Sequence, residues 1–133
     1  MKIRGIKNFC RENGIDLLVL FGSAAGDKPE SSRDIDLAVK LKEGISISKL
    51  DLIYKLDNFF MGKNIDIVLL TTDTDPLLLH EIFMKGVCLF ERKTDLFEKD
   101  KLRAWKLYLD TEQIRNMRGK YLKDYVRKVS HVA

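Results

Sequence analysis

Apolar and polar residues follow one another along this chain in patterns that predict strands and helices in turn. Apolar residues at every second position, or in short and nearly continuous runs, predict four strands. These predicted strands are 15–21, 34–41, 64–70 and 87–90. Apolar residues three and four positions apart predict three helices. The predicted helices lie within 2–13, 49–61 and 76–85.

Residues that favour helix ends stand where these helices begin and end. Gly14 follows the first helix in the position of a C-terminal cap. Ser48 precedes the second helix as an N-cap, and Asp51 follows three residues later in a variant of the capping box. Asp75 and Pro76 open the third helix, because proline is favoured at the first helical position. The caps support the boundaries that the apolar pattern predicts.

The pattern from 94 to about 128 is helical throughout. Its apolar residues form two stripes. The first stripe contains Leu102, Trp105 and Leu109, and the second contains Ile114, Met117, Tyr121 and Tyr125. Asp110, with Gln113 three residues later, is typical of a new N-cap. We therefore expect either one kinked helix or two helices that meet near Asp110.

The order of these elements predicts an α/β (α+β) fold in a single domain over residues 1–133. A chain of 133 residues is long enough for one hydrophobic core and short for two. The αβ core of about four strands with helices packed on it is expected to span 1–93. The segment 94–128 is expected to add the C-terminal helices.

Composition indicates a soluble globular protein of a reducing compartment. Hydrophobic residues make up 45% and charged residues 33% of the chain. Its apolar runs are far shorter than the roughly 20 residues of a membrane span, and its N-terminus has no apolar signal-peptide segment. Cys10 and Cys88 are too few and too far apart for a disulfide framework. A cytoplasmic location is the expectation.

Charge is distributed unevenly along the chain. Residues 91–133 contain 12 Lys and Arg against 7 Asp and Glu, a net charge of +5, whereas residues 1–90 carry −1. Two interpretations of the basic segment stay open. It binds nucleic acid or an acidic protein, or it is a solvated helix surface.

The segment from Phe21 to Asp36 carries the most informative chemistry. Gly22 and Ser23 directly follow an apolar strand, where glycine lets backbone amides approach an anion and the serine hydroxyl bonds a phosphate oxygen. Asp34 and Asp36 begin the next predicted strand after ten intervening residues. This order indicates a nucleotide and a divalent metal held together.

The two aspartates project from one face of their strand, since strand side chains repeat every second residue. Two carboxylates about 4 Å apart repel by roughly 4 kcal/mol at an effective dielectric near 20, and a divalent cation offsets that repulsion. Asp66 lies in another predicted strand, which otherwise has a buried pattern. If the two strands are neighbours, Asp66 joins the cluster, and three carboxylates are enough for a two-metal site with Mg²⁺.

Gly-Ser, ten residues, Asp-x-Asp and a later Asp on a strand together resemble the signature of the DNA polymerase β-like nucleotidyltransferases. The segments LFGS at 20–23 and DIDLAV at 34–39 resemble the minimal nucleotidyltransferases of that superfamily. Downstream, PLLLHEI at 76–82 resembles the antitoxin branch that is paired with HEPN toxins. The resemblance covers about residues 1–125.

This resemblance implies a nucleotidyltransferase fold with a mixed sheet and helices on it. It implies that Gly22 and Ser23 hold the triphosphate of ATP and that Asp34 and Asp36 bind Mg²⁺. It also implies that Asp66 is the third acid, which ligates metal and helps to deprotonate the acceptor hydroxyl.

The resemblance further implies the antitoxin of a type VII toxin–antitoxin system. Antitoxins of this branch pair with a HEPN-domain RNase toxin and neutralise it by transferring AMP from ATP onto a toxin tyrosine. The expected partners are therefore ATP and a HEPN toxin in a hetero-oligomer, with no membrane and with nucleic acid unlikely as a substrate.

Three positions depart from the pattern of the family. Many relatives have Arg directly after Gly-Ser and again two residues later, where this chain has Ala24, Ala25 and Gly26. Many also have Ser before the first acid, where this chain has Arg33. Loss of the arginines is expected to weaken phosphate contacts or to change the nucleotide, but the intact acids predict an active enzyme.

Two other functions compete with protein adenylylation. The first is an antitoxin that blocks its toxin by contact alone through the apolar and basic segment 94–128. The second is a transferase for a small molecule such as an aminoglycoside, although about 40 residues leave little room for a substrate domain.

Overall fold

The computed structural model of the protein describes residues 3–27, 31–118 and 120. Its strands are β1 (Ile15–Phe21), β2 (Asp34–Leu41), β3 (Asn64–Leu69) and β4 (Val87–Glu91). Among the described residues these strands form one sheet in the order β3-β2-β1-β4. β1 pairs antiparallel with β2 and β4, while β2 pairs parallel with β3. The mixed four-stranded sheet confirms the expected fold class.

Helices cover both faces of the sheet. They are α1 (Ile6–Glu12), α2 (Lys49–Leu56), α3 (Pro76–Lys85) and α4 (Leu96–Asp110), with short 3-10 helices at Gly22–Ala25 and Asp57–Phe59. α1 and α2 contribute to the core on one face, and α3 and α4 contribute to the core on the other. The central strand β1 is buried almost throughout, which explains its nearly continuous apolar sequence.

The alternation in β2 divides its side chains between the two cores. Ile35, Leu37 and Val39 are fully buried and belong to the core under α1 and α2. Ala38 belongs to the core under α3 and α4, so Asp34 and Asp36 project toward this second face. β2 therefore buries apolar residues along its length and presents its carboxylates at one end.

Most predicted boundaries agree with the structure to within one or two residues. β1 and β2 have the predicted bounds, β3 ends one residue earlier and β4 extends to Glu91. α1 starts at Ile6, four residues later than predicted, and α2 ends at Leu56, before the 3-10 helix. The predicted N-caps of α2 and α3 are confirmed, because the Asp51 amide donates to Ser48 Oγ at 3.2 Å and Pro76 follows the cap residue of α3. The predicted N-cap at Asp110 is wrong, since Asp110 is the last residue of α4 and Thr111 follows it as the cap.

A partly buried ion pair holds α4 against the sheet. Nζ of Lys40, near the end of β2, donates to Oδ2 of Asp100 at 2.8 Å. Asp100 is only 8% exposed, and its other oxygen accepts from Arg103 at 3.3 Å. The strand that carries Asp34 and Asp36 is thus joined at its far end to the C-terminal helix.

The C-terminal segment divides as expected near Asp110. α4 ends there, Thr111 Oγ1 donates to the Leu107 carbonyl at 2.8 Å, and 112–118 are again helical. The first predicted stripe is exposed on α4. Tyr121, Tyr125 and the rest of 121–128 lie outside the described residues. The division into 1–93 and 94–128 remains a prediction.

Two further observations bear on the setting of the protein. In the part of the chain that the structure describes, no helix is both long enough and apolar enough to cross a membrane. Cys10 and Cys88 are both free thiols, Cys10 buried and Cys88 half-buried.

Candidate active site

Gly22 lets the backbone pass directly beside the Asp36 carboxylate. β1 ends at Phe21, which is the register partner of Asp36 on β2. Gly22 then has a φ of +72°, a left-handed conformation that side chains with a Cβ disfavour. A Cβ at this position would overlap Oδ2 of Asp36 and lie 3.1 Å from its Cγ. The close approach of the turn to the carboxylate therefore requires glycine here.

The parallel pairing of β2 and β3 brings the three predicted acids to one end of the sheet. Asp36 and Asp66 are register partners, and Asp34 lies two residues from Asp36 on the same face. The two strands are neighbours, so the condition for Asp66 to join the cluster is met. The expectation that Asp66 is embedded in a buried strand is wrong, since Asp66 is exposed. Among the described residues, β3 lies at an edge of the sheet beside β2, and Ile67 is its one buried residue.

Electrostatics within this cluster are unfavourable when all three groups are charged. Burial raises the pKa of the Asp36 carboxyl above its ordinary value, and the carboxylates of Asp66 and then Asp34 raise it further. The cluster therefore places mutually repelling negative charges close together.

Hydrogen bonds connect the Gly-Ser turn to the strand that bears the acids. Ser32 Oγ donates to the Asp34 carbonyl at 2.8 Å, and Ser23 Oγ lies 2.8 Å from Ser32 Oγ. Because the single Ser32 hydroxyl hydrogen goes to the carbonyl, Ser23 is the donor between the two hydroxyls. On the neighbouring strand, Asn64 Nδ2 donates to Oδ1 of Asp34 at 3.3 Å.

Sequence patterns alone do not single out Ser32 or Asn64 as members of this site. Asn64 is the register partner of Asp34, so its place beside the acids follows only from the parallel pairing. Ser32 lies in an irregular segment, for which sequence periodicity gives no geometry. The alanine that directly follows Gly-Ser, where many relatives have Arg, also has a structural explanation. Ala24 is 1% exposed and packs in the core under α1 and α2.

The residues present fit a divalent cation by their chemistry. Within the described ranges, no three His, Cys, Asp or Glu side chains are already grouped as a metal site. However, Asp34, Asp36 and Asp66 share one face of adjacent strands, and carboxylate oxygens are ligands that Mg²⁺ prefers. A cation would also offset the repulsion that raises the pKa of Asp36.

His80 belongs to a different part of the molecule. Its ring stacks on Tyr108 of α4 with 3.9 Å between centroids, and the Arg115 guanidinium lies 3.9 Å from the centroid of the same tyrosine ring. These contacts between α3 and the C-terminal segment give His80 a structural role.

Solved structures of toxin–antitoxin complexes share this fold. One is a mutant MntA-HpeT toxin–antitoxin complex, in which a chain is 19% identical with a TM-score of 0.67, covering 95% of this chain and 99% of that chain. A toxin–antitoxin crystal structure with AMP-PNP gives 21% identity and a TM-score of 0.66, covering 91% and 95%. The complex of a tri-AMPylated Shewanella oneidensis HEPN toxin with its MNT antitoxin gives 21% and 0.61, covering 91% and 92%.

These identities establish likeness of fold, and the family follows from a separate comparison. No curated protein matches the chain. The model of the polymerase beta nucleotidyltransferases matches residues 4–95, which contain the four strands, Gly22, Ser23 and the three acids. Because the match covers more than half of the chain, this protein belongs to the polymerase beta nucleotidyltransferase family.

Proposed function

We propose that this protein is an Mg²⁺-dependent adenylyltransferase that acts as an antitoxin, transferring AMP from ATP onto a tyrosine of a HEPN-domain RNase toxin. The observation that carries the proposal is the meeting of three carboxylates on adjacent strands beside the Gly22 turn. Family membership supports nucleotidyl transfer as the reaction. Related folds that occur in complexes with a tri-AMPylated HEPN toxin and with AMP-PNP support the acceptor and the nucleotide.

Each end of the site has its own task in this reaction. Gly22 and Ser23 bind the triphosphate, through backbone amides and the serine hydroxyl. Ser23 Oγ now donates to Ser32 Oγ, so it turns this hydrogen toward a phosphate oxygen when the nucleotide binds. Asp34, Asp36 and Asp66 would hold two Mg²⁺ ions. When bound, these ions would neutralise phosphate charge and position the α-phosphate.

The transfer itself forms one bond to phosphorus and breaks another. The acceptor tyrosine oxygen attacks the α-phosphorus, and the bond to the bridging oxygen of pyrophosphate breaks. The hydroxyl proton passes to the Asp66 carboxylate, which is exposed at the sheet edge and accessible to a protein substrate. The products are the O-adenylylated tyrosine and pyrophosphate.

The proposed setting follows from these partners. The protein acts in the cytoplasm and forms a hetero-oligomer with its toxin, without a membrane and without nucleic acid as a substrate.

One structural observation favours a second candidate function, an antitoxin that acts by contact alone. The apolar stripe of α4 remains exposed, as a protein-binding surface would be.

Labelled ATP distinguishes the two functions. We expect transfer of label from the α-phosphate to a purified HEPN toxin in the presence of Mg²⁺, and loss of transfer in an Asp34→Asn/Asp36→Asn double variant. If the wild type transfers no label, the proposed activity is wrong. If the double variant still protects cells from the toxin, contact alone is sufficient.

A further inference from the structure

The outward face of α4 carries a stripe of large apolar side chains. Leu102 is 60% exposed, Trp105 42% and Leu109 46%. Their spacing of three and then four residues places them along one side of the helix. The inward side of α4 is occupied by Asp100 and Ala104, which are buried against the sheet and α3. We name Leu102, Trp105 and Leu109 the α4 seam.

Trp105, at the centre of the α4 seam, is held in place by other rings. Its indole stacks with the His80 ring at 5.7 Å and with the Tyr108 ring at 6.1 Å between centroids. An aromatic side chain that is already fixed loses little conformational freedom on binding. Tryptophans that become buried when a partner binds are frequent binding hot spots.

Lysines flank the α4 seam on both sides. On a helical projection, Lys99 and Lys106 lie along one edge of the seam and Lys101 lies along the other. None of the three forms an ion pair with another residue in the described ranges. This arrangement corresponds to the flanking positions of a coiled-coil interface, where charge determines the choice of partner.

We propose that the α4 seam docks one amphipathic helix of a partner protein, with apolar residues facing the seam and Asp or Glu along its edges. The lysine flanks argue against a second copy of this chain, because pairing two seams would bring lysines to face lysines. The partner is the HEPN toxin of the proposed function, so this inference rests on that function.

Binding of the purified HEPN toxin to Leu102→Glu tests the seam. We expect its Kd to rise by at least about 30-fold, as for loss of a hot spot. Leu50→Glu is the matched control, since Leu50 is 79% exposed on α2 and its substitution should leave the Kd unchanged. Unchanged binding of Leu102→Glu would overturn the proposal. Thermal unfolding of each variant verifies the fold.

Charge reversal tests the acidic edges of the partner. Lys101→Glu/Lys106→Glu should weaken toxin binding by about 10-fold at low salt and by less at high salt. Tighter binding of this variant would show a basic partner and contradict the inference. Sedimentation of the wild type without toxin addresses self-association, and a dimer that Leu102→Glu dissociates would also contradict it.

Failure of this inference can be distinguished from failure of the proposed function. The Asp34→Asn/Asp36→Asn variant keeps the α4 seam, so it should bind the toxin but transfer no AMP. Leu102→Glu keeps the acids, so it should still bind ATP. If toxin binding depends on the α4 seam but the wild type transfers no AMP, only the enzymatic function is contradicted. If AMP transfer is the same in Leu102→Glu as in the wild type, only the docking surface is contradicted.

Discussion

Oδ2 of Asp36 occupies the space into which a Cβ on Gly22 would project. The turn that follows β1 and the acid of β2 are therefore packed against each other before any ligand binds. Phosphate binding and metal binding share this contact in the proposed reaction, so a disturbance of either residue is expected to affect both.

Gly22→Ala should abolish AMP transfer and destabilise the protein. The left-handed φ costs alanine about 1–2 kcal/mol, and displacement of the Asp36 carboxylate adds to this cost. Gly62→Ala is the control, because Gly62 has a φ of +74° with no atom within 4 Å of the new Cβ. This control should lose only the stability that the left-handed φ costs alanine, and it should keep full activity. Equal activity of the two variants would contradict the importance of the contact.

Asp36→Asn should raise the Tm measured in EDTA while it removes activity. Folding raises the pKa of Asp36, so the native state holds this proton more tightly than the unfolded chain. The free energy of unfolding therefore falls as pH rises from about 3.9 through the folded-state pKa, and at neutral pH the charge destabilises the fold. Asparagine removes that charge.

The activity of Asp36→Asn is expected to fall on the order of 100-fold or more, because the transition state loses a stabilising ligand. Asp73→Asn provides a control, because Asp73 is exposed and follows the end of β3 opposite to Asn64, and it should change neither quantity. A Tm of Asp36→Asn below that of the wild type, without metal, would show that the carboxylate stabilises the fold instead.

Metal binding should reverse the order in which the Tm of Asp36→Asn exceeds that of the wild type. Adding Mg²⁺ to the wild type is expected to raise its Tm, since a ligand that binds only the native state stabilises it by mass action. The Asp34→Asn/Asp36→Asn variant should show a smaller rise. Calorimetric or fluorescence melting with and without EDTA measures both, and an equal response of the two proteins would argue against these acids as ligands.

Periodicity predicted the elements because each buried strand face and each helix stripe leaves a regular apolar pattern. β1 and β2 are recovered to the residue, whereas the sequence left open whether β2 and β3 are neighbours. The order of the strands is not encoded in that pattern. For this reason the pattern of the third strand indicated a buried strand, whereas β3 lies at an edge of the described sheet and Asp66 is exposed.

Other features of the site and of α4 cannot be predicted from the periodicity of apolar residues. The bonds from Ser32 and Asn64 depend on a turn geometry and on a strand register. The exposure of Leu102, Trp105 and Leu109 depends on which side of α4 the sheet covers. Helical spacing shows that these three residues share a face, whereas tertiary packing decides whether that face is buried.

Asp100→Ala should loosen α4 from the sheet. Asp100 is 8% exposed and bonded to Lys40 at 2.8 Å, so its removal leaves a partly buried ammonium without its partner. We expect a loss of about 2–4 kcal/mol in the free energy of unfolding. Lys85→Ala is the control, because its pair with Glu81 is exposed and should contribute less than about 0.5 kcal/mol. Urea denaturation measures both, and similar losses would contradict a special role for Asp100.

Both cysteines should react slowly with thiol reagents in the native state. Burial raises the pKa of Cys10 to about 12, and burial with the nearby Glu91 raises that of Cys88 to about 11. The thiolate is the reactive form, so at pH 8 we expect rates at least about 100-fold below those of the unfolded chain. A disulfide-exchange reagent with and without denaturant checks this. Rapid native labelling of Cys88 would show that its surroundings favour the thiolate.

These raised thiol pKa values also set a limit on stability at high pH. The native state retains protons that the unfolded chain releases, so the free energy of unfolding should fall as pH rises above about 8.5. A Cys10→Ser/Cys88→Ser variant should lose this part of the alkaline dependence. Urea denaturation at pH 8 and pH 10 compares the two proteins.

The edge position of β3 has a consequence for how the protein chooses its target. Asp66 is exposed on an edge strand of the described sheet, so under the proposed function it would not select an acceptor by enclosing it. In the proposed reaction, selection must then come from residence time, because only a protein that stays bound elsewhere would keep its tyrosine near the acids for long enough to react. Changes of target during evolution are accordingly expected on outer helix surfaces, while the β2–β3 end of the sheet stays the same.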